Sequence, residues 1–243
     1  MNQHRKIRVA ALADFHYTKA SAGRLKDVFV RASETADVLA ICGDMTDYGL
    51  PEEAAILAQD IKTYVRIPCV AVVGNHDFES GKIGEVQSIL AETGMHILDG
   101  ESIEILGAGF AGVCGFGGGF DRQMLNPWGE PMIKAFVQEA LDHSLRLEKA
   151  LNRLTMDRRA VLLHYSPIRE TVQGENPEIF PFLGSSRLES PINQFNVSVV
   201  FHGHAHNGTP AGKTSVNIPV FNVALPVISK RSGDQVPLFV YEL

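Results

Sequence analysis

The chain has 243 residues, 45% of them hydrophobic, and a formal net charge of −6. That length supports a substantial core in one large domain or two small ones, and the acidic balance argues against a protein that grips long nucleic acid, which needs a basic footprint. The three cysteines, Cys42, Cys69 and Cys114, are far apart and flanked by apolar residues, so they read as small buried side chains in a reducing compartment, not as a disulfide framework or a Cys-x-x-Cys zinc site.

Near the N-terminus, His4-Arg5-Lys6 precedes a short apolar run that meets Asp14 almost at once. This is too short for a signal-peptide core, and no stretch approaches a membrane span. The expectation is a cytoplasmic protein without a membrane partner. No repeat, charge run or linker divides the chain, so residues 1–243 are expected to form one domain.

In chain order, residues 7–13 read as a first strand, followed by Asp14-Phe15-His16. Spacing of two along an extended chain points Asp14 and His16 to one side. Residues 21–36 carry Leu25, Val28, Phe29 and Ala32 on one helical face, with Ser21 as N-cap. The unbroken apolar run 38–42 suits a strand covered on both faces and ends in Gly43-Asp44. Pro51, Glu52 and Glu53 open a second helix, whose buried stripe is Leu57, Ile61 and Tyr64. The third strand, 69–73, delivers Gly74-Asn75-His76-Asp77. Strand and helix thus alternate three times, each strand ending in an acid or histidine cluster, which is α/β organisation with one site at the carboxyl edge of the sheet.

A helix is expected around 84–93, then short strands at 97–98, 102–106 and 110–114. The stretch from Gly107 to Gly112 formally matches the dinucleotide fingerprint, but a helix must open at the end of that motif. Here Val113-Cys114-Gly115 follows, so a glycine-rich hairpin is expected. Residues 131–154 read as the longest helix, with Ile133, Phe136, Val137, Ala140, Leu141, Leu145, Leu151 and Leu154 toward the core and Asp142 and His143 on the wet side. A strand at 160–163 ends at His164, and a long Pro/Gly-punctuated segment, 165–186, follows, of the kind that is often functional. A strand at 197–201 ends at His202-Gly203-His204-Ala205-His206, and three short strands are expected around Pro219, Pro226 and Pro237.

Five strand ends therefore supply Asp14, His16, Asp44, Asn75, His164, His202 and His204 as metal donors, with His76 left over. Seven donors are too many for one tetrahedral zinc and fit two ions sharing Asp44. Imidazole and carboxylate donors suit Mn, Fe or Zn, and the lack of thiolates disfavours Cu(I) or iron–sulfur chemistry.

The ordered set Asp-x-His, Gly-Asp, Gly-Asn-His-Asp, His and Gly-His-x-His, spanning Asp14 to His204, resembles the calcineurin-like metallophosphoesterase superfamily. The resemblance implies an α/β fold, a four-layer αββα sandwich of two mixed sheets flanked by helices. It implies Asp14, His16 and His204 on one metal, Asn75, His164 and His202 on the other, and Asp44 bridging. It also implies that a bridging hydroxide attacks phosphorus in line, that His76 protonates the leaving oxygen or steadies the transition state, and that Asp77 orients the His76 ring. Related pyrophosphatases of the lipid A pathway usually carry Arg where this chain has His76, whereas small members with Asp-x-His and Gly-Asn-His-Asp are similar to class III cyclic nucleotide phosphodiesterases. The expected function is hydrolysis of a small phosphodiester, a cyclic nucleotide being favoured; a phosphomonoesterase, a nuclease and an inactive scaffold are the alternatives.

Weaker claims attach to Asp47, expected to support its loop, and to His206, expected in a turn because Asn207-Gly208 follows. Arg122, Tyr165 and Arg169 lie in or beside the two candidate loops, where they can touch a phosphate or base, and solvated loop residues are the favoured reading for each.

Overall fold

A computed structural model describes residues 6–233 and 236–243; His4 and Arg5 lie outside them. In chain order the elements are β1 (Arg8–Leu12), α1 (Lys26–Thr35), β2 (Val38–Cys42), α2 (Pro51–Tyr64), β3 (Cys69–Val72), α3 (Ile83–Ala91), β4 (His96–Ile97), β5 (Glu101–Ile105), β6 (Ala108–Val113), α4 (Pro131–Asn152), β7 (Arg159–Leu163), α5 (Phe180–Leu183), α6 (Glu189–Gln194), β8 (Val199–His202), β9 (Ala211–Lys213), β10 (Pro219–Asn222), α7 (Leu225–Ser232) and β11 (Phe239–Glu242).

The strands form two mixed sheets, β11-β1-β2-β3-β4 and β5-β6-β7-β8-β10-β9. Within the first, β1 to β4 run parallel and β11 caps the edge antiparallel; in the second, β6, β7, β8 and β10 run parallel between antiparallel edges. Val9, Ala11, Val38, Ala40, Val70 and Val72 of the first sheet pack against Phe110, Ala160, Leu162, Val199 and Phe201 of the second. The opposite face of the first sheet, through Leu39 and Ile41, meets Phe29 of α1 and Leu57 of α2. The outer face of the second, through Val161 and Leu163, meets Leu147 and Leu151 of α4. This is the expected αββα sandwich, and it explains why β2 and β3 lack alternation: both of their faces are covered. Every parallel strand therefore points its carboxyl end toward the same rim.

The Gly107 region is a hairpin. β5 and β6 pair antiparallel across Leu106 (φ 53°) and Gly107 (φ 80°), the two consecutive positive values that suit a two-residue turn between twisted strands. Three expectations need correction. Pro226 lies in the first turn of α7, not in a strand; its fixed φ and missing N–H are harmless there. Ser21 caps a turn ahead of α1, accepting Thr18 N–H at 3.0 Å, and the helix begins at Lys26. On α4, Ile133 and Leu145 are exposed, while His143 is buried, because the inward stripe runs through Ala140, His143, Leu147 and Ala150. Asp142 is on the wet side as expected. Among the described residues no helix is long and apolar enough to cross a membrane.

Burial, with the neighbouring Arg146 charge, lowers the His143 imidazole from 6.5 to about 4. The unfolded chain therefore binds this proton more readily, so the buried neutral ring stabilises the fold above pH 6.5, and that contribution is lost as pH falls toward 4. The expected result is a stability–pH slope in this window, worth up to ~3 kcal/mol, that flattens in His143→Phe. Denaturant unfolding at stepped pH measures it; parallel profiles for the two proteins would contradict it.

Candidate metal centre

At the shared rim, β1 runs into Asp14, β2 into Asp44, β3 into Asn75, β7 into His164, and β8 toward His204 and His206. The chain leaves the strands through left-handed residues: Asp14 (φ 58°), His16 (42°), Asp44 (49°) and His204 (69°). Asp and His are among the few non-glycine residues enriched in this region, and four such conformations facing one another mark a site held by its surroundings. Two glycines permit the close approach. A Cβ on Gly74 would collide with the backbone nitrogen and carboxylate of Asp44, and one on Gly203 with the Asp14 carboxylate.

Two donor groups that share Asp44 result, beside a third made of His16, Asp47 and His76. Asp14, His16, Asp44 and His206 bring one ligand atom each to within 4.8 Å of one another, and Asp44, His164 and His204 do the same. Asp44 belongs to both. Asn75 Oδ1 lies 2.9 Å from His164 Nε2, beside the second group. The surroundings orient several rings. His164 Nδ1 lies 2.9 Å from the Cys42 carbonyl, an acceptor, so Nδ1 carries the proton and Nε2 faces Asp44 at 3.4 Å. His204 Nε2 is 3.1 Å from the Phe182 carbonyl, which leaves Nδ1 for the group. Among the described residues, both buried ring nitrogens of His16 have no hydrogen-bond partner; Nε2 lies 3.9 Å from Asp44 Oδ2. Orphaned imidazole nitrogens beside two carboxylates fit a divalent or trivalent cation.

Charge is concentrated at Asp44. Burial alone would raise its carboxyl, but His164 and the His76 N–H hold it well below the usual carboxylate range. Burial alone would lower His164, yet Asp44 and Asp14 raise it to about 9.

The family model for calcineurin-like phosphoesterases matches residues 7–208. The chain belongs to that family. A curated relative, a transmembrane protein with a metallophosphoesterase domain from Bos taurus, is 26% identical over 169 residues, covering 67% of this chain and 35% of its own length. The chain thus spans about a third of that relative. Solved structures share the fold: phosphopantetheinyl hydrolase from Mycobacterium tuberculosis at TM-score 0.67, 13% identity and coverage of 99% and 96% of the two chains. A 5'-nucleotidase, titled as putative, from Staphylococcus aureus matches at TM-score 0.55 and 13% identity, covering 90% of this chain and 48% of its own. GAP50, titled as the anchor in the inner membrane complex of Plasmodium, matches at 0.59 and 12% identity, covering 98% and 81%.

In this calcineurin-like phosphoesterase the last histidine pair is shifted by two residues from the expectation. His202 does not face the donor groups. Its Nδ1 lies 2.8 Å from the Gly203 carbonyl and its Nε2 2.8 Å from Thr171 Oγ1, so a neutral ring donates at one end and accepts at the other. Burial lowers its pKa to about 4, in keeping with that neutral role. His206, expected in a turn, instead places Nε2 2.9 Å from Asp14 Oδ1. The sequence signal was the glycine: Gly203-His204-Ala205-His206 carries the Gly-His-x-His spacing.

Asp77 also departs from its expected task. Its carboxylate is fully buried and accepts N–H from Gly74 (2.8 Å) and Thr46 (2.8 Å) and the Thr46 hydroxyl (2.6 Å). It clamps the loop that carries Asp44, not the His76 ring. His76 Nδ1 is held by the Asp47 carbonyl at 2.7 Å, while the Asp47 carboxylate sits 3.5 Å from His16 Nδ1. Asp47 thus holds the His76 ring and faces the His16 ring from one loop position. Arg122 is exposed, and Arg169 lies over the Phe180 ring at 5.6 Å. Tyr165 is not a solvated loop residue; its ring packs 4.4 Å from His204.

Proposed function

We propose that Asp14, His16, Asp44 and His206 hold one metal ion, that Asp44, Asn75, His164 and His204 hold a second, and that the chain hydrolyses a small phosphate ester, a phosphodiester being the favoured form and a cyclic nucleotide the favoured substrate. The observation that carries this reading is Asp44, one buried carboxylate common to two donor groups. When bound, such ions (Mn, Fe or Zn by donor type) supply Lewis acidity to phosphoryl oxygens and lower the pKa of water toward neutrality.

The chain's own residues do the rest. Asp14 and Asp44 supply the negative charge, and the neutral Asn75 adds a donor without adding charge. The Cys42 and Phe182 carbonyls fix the tautomers of His164 and His204. His76, tethered through Nδ1, directs Nε2 toward the leaving oxygen, which takes a proton as the P–O bond breaks. The net charge of −6 weighs against a nuclease, and filled donor positions weigh against a scaffold.

His206→Ala is expected to lower metal affinity by ~100-fold or more, because it removes a donor from an ion that keeps three others. His202→Ala is expected to keep both ions and lose fold stability by ~1–3 kcal/mol, since it removes a buried ring and its hydrogen bonds to Thr171 and Gly203. Metal analysis after dialysis, paired with thermal melts, reads both. Ion loss in His202→Ala with retention in His206→Ala would restore the opposite assignment. A manganese-reconstituted assay comparing bis-p-nitrophenyl phosphate, p-nitrophenyl phosphate and a cyclic nucleotide tests the activity; a strong monoester preference would overturn the diesterase reading.

A further inference from the structure

Beside Asn75, on the flank of the second donor group, a cavity of about 270 Å³ opens between β6, α4 and the turn after β3. Phe78, Cys114, Phe116 and Tyr165 line it, together with Glu139 and His143 of α4. Tyr165 follows His164 directly, and its ring meets those of His204 (4.4 Å) and His164 (5.5 Å) on one side. On the other side stands Phe116, 5.9 Å away, itself stacked on His143 at an interplanar angle of 13°. An aromatic wall therefore runs without a break from the candidate ligands to the far end of the cavity.

The far end is polar in one defined place. His143 Nδ1 accepts the Gly115 N–H at 3.2 Å. Its Nε2 lies 3.1 Å from Glu139 Oε1 and 2.7 Å from Arg146 Nη2. Arg146 approaches the same oxygen at 3.7 Å and is anchored on Asp99 at 2.9 Å. Arg146 thus faces an acceptor-only carboxylate at the rim, and the Glu139 side chain remains 49% exposed.

We propose that this cavity is the subsite for the organic part of the ester, and that it takes a flat heteroaromatic ring bearing an amino group, as in an aminopurine nucleotide. The ring lies along Phe116 and Tyr165, the amino group donates to Glu139, and the phosphoryl group reaches the donor groups past Asn75. The cavity's size supports the assignment, because ~300 Å³ is the lower limit for pockets that enclose a drug-sized ligand, so one ring system fills it. Sequence order supports it too: Tyr165 and Asn75 belong to the same turns as the candidate ligands, so base and phosphate positions are fixed relative to each other. The proposal rests on the phosphoesterase reading above and narrows it.

The test is calorimetric binding of AMP, purine riboside 5′-monophosphate and ribose 5-phosphate to the metal-loaded full chain. The three share one primary phosphate ester and differ only in the base, so leaving-group chemistry drops out. AMP is expected to bind at least ~10-fold tighter than ribose 5-phosphate through stacking, and several-fold tighter than the purine lacking the amino group. Phe116→Ala is expected to abolish the first preference, and Glu139→Ala the second while keeping the first. Should Phe116→Ala fail to fold, Phe116→Leu and the wild-type ranking still decide. Equal binding of all three ligands to the wild type, or a Phe116 variant weakening all three alike, would overturn the subsite. Hydrolysis of phosphate esters without base preference refutes the subsite alone; base-dependent binding with no hydrolysis of any ester refutes the catalytic reading alone.

Discussion

Replacing Asp44 with Asn is expected to reduce turnover by ~10³-fold or more and to leave at most one firmly held ion per chain. Three features make this the most damaging of the conservative changes. The side chain is 1% exposed and shared by both donor groups, so its charge serves two ions at once. Its Oδ1 also accepts the His76 N–H at 2.9 Å, a bond that the Asn amide oxygen keeps. The backbone at position 44 has φ 49°, a conformation Asn adopts as readily as Asp. Asp44→Asn therefore isolates the charge from the shape. Removing it also leaves His164, now held at about 9 by Asp44 and Asp14, without its nearest counter-charge, so the metal-free variant gains a second reason to lose the site. Metal content by mass spectrometry, far-ultraviolet circular dichroism and turnover on one phosphodiester together read the outcome. A folded variant that keeps two ions and near-normal turnover would remove Asp44 from the bridging position.

The residues easiest to find in the sequence were those that terminate an apolar strand, because burial on both faces leaves an unbroken run and the first polar residue after it must sit at the rim. Asp44, Asn75 and His164 follow that rule. What failed was counting beyond the strand end. Alternation by two holds only while the backbone stays extended, and at His204 it turns to φ 69°, which sends His202 and His204 to different partners and lets His206 return toward Asp14. Asp14 and His16 converge through the same kind of turn (φ 58° and 42°), so the expectation was met for a different physical reason. Contacts made by loop carbonyls were beyond reach of pattern reading: nothing in Gly-Asn-His-Asp says that Asp47, far back in the chain, holds the His76 ring. His143 was legible in principle. It falls in register with Ala140, Leu147 and Ala150, and only its polarity argued for the wet side; periodicity carried more information than residue type.

His76→Ala is expected to cut turnover by ~10²-fold or more, up to ~10⁴, with metal content unchanged. The ring lies outside the two donor groups that share Asp44, in the neighbouring cluster with His16 and Asp47; its centroid is 4.5 Å from that of His16. Nδ1 is committed to the Asp47 carbonyl at 2.7 Å, an acceptor whichever charge the ring carries, so Nδ1–H is present throughout and Nε2 alone can change its proton. A group so tethered has one chemical use at a phosphoryl centre: to give the proton, or a charged hydrogen bond, to the oxygen that departs. The dependence on leaving group follows from that role. An alkoxide needs the proton badly and p-nitrophenolate hardly at all, so the loss in His76→Ala should be larger for an alkyl ester than for a p-nitrophenyl ester of the same acid. Asp77→Asn gives the contrast, because Asp77 touches the Asp44 loop and not the ring; its losses should appear in metal affinity and thermal stability, with no leaving-group dependence. Equal losses on both esters in His76→Ala would assign His76 to holding the phosphoryl oxygens, and undiminished turnover would remove it from the reaction.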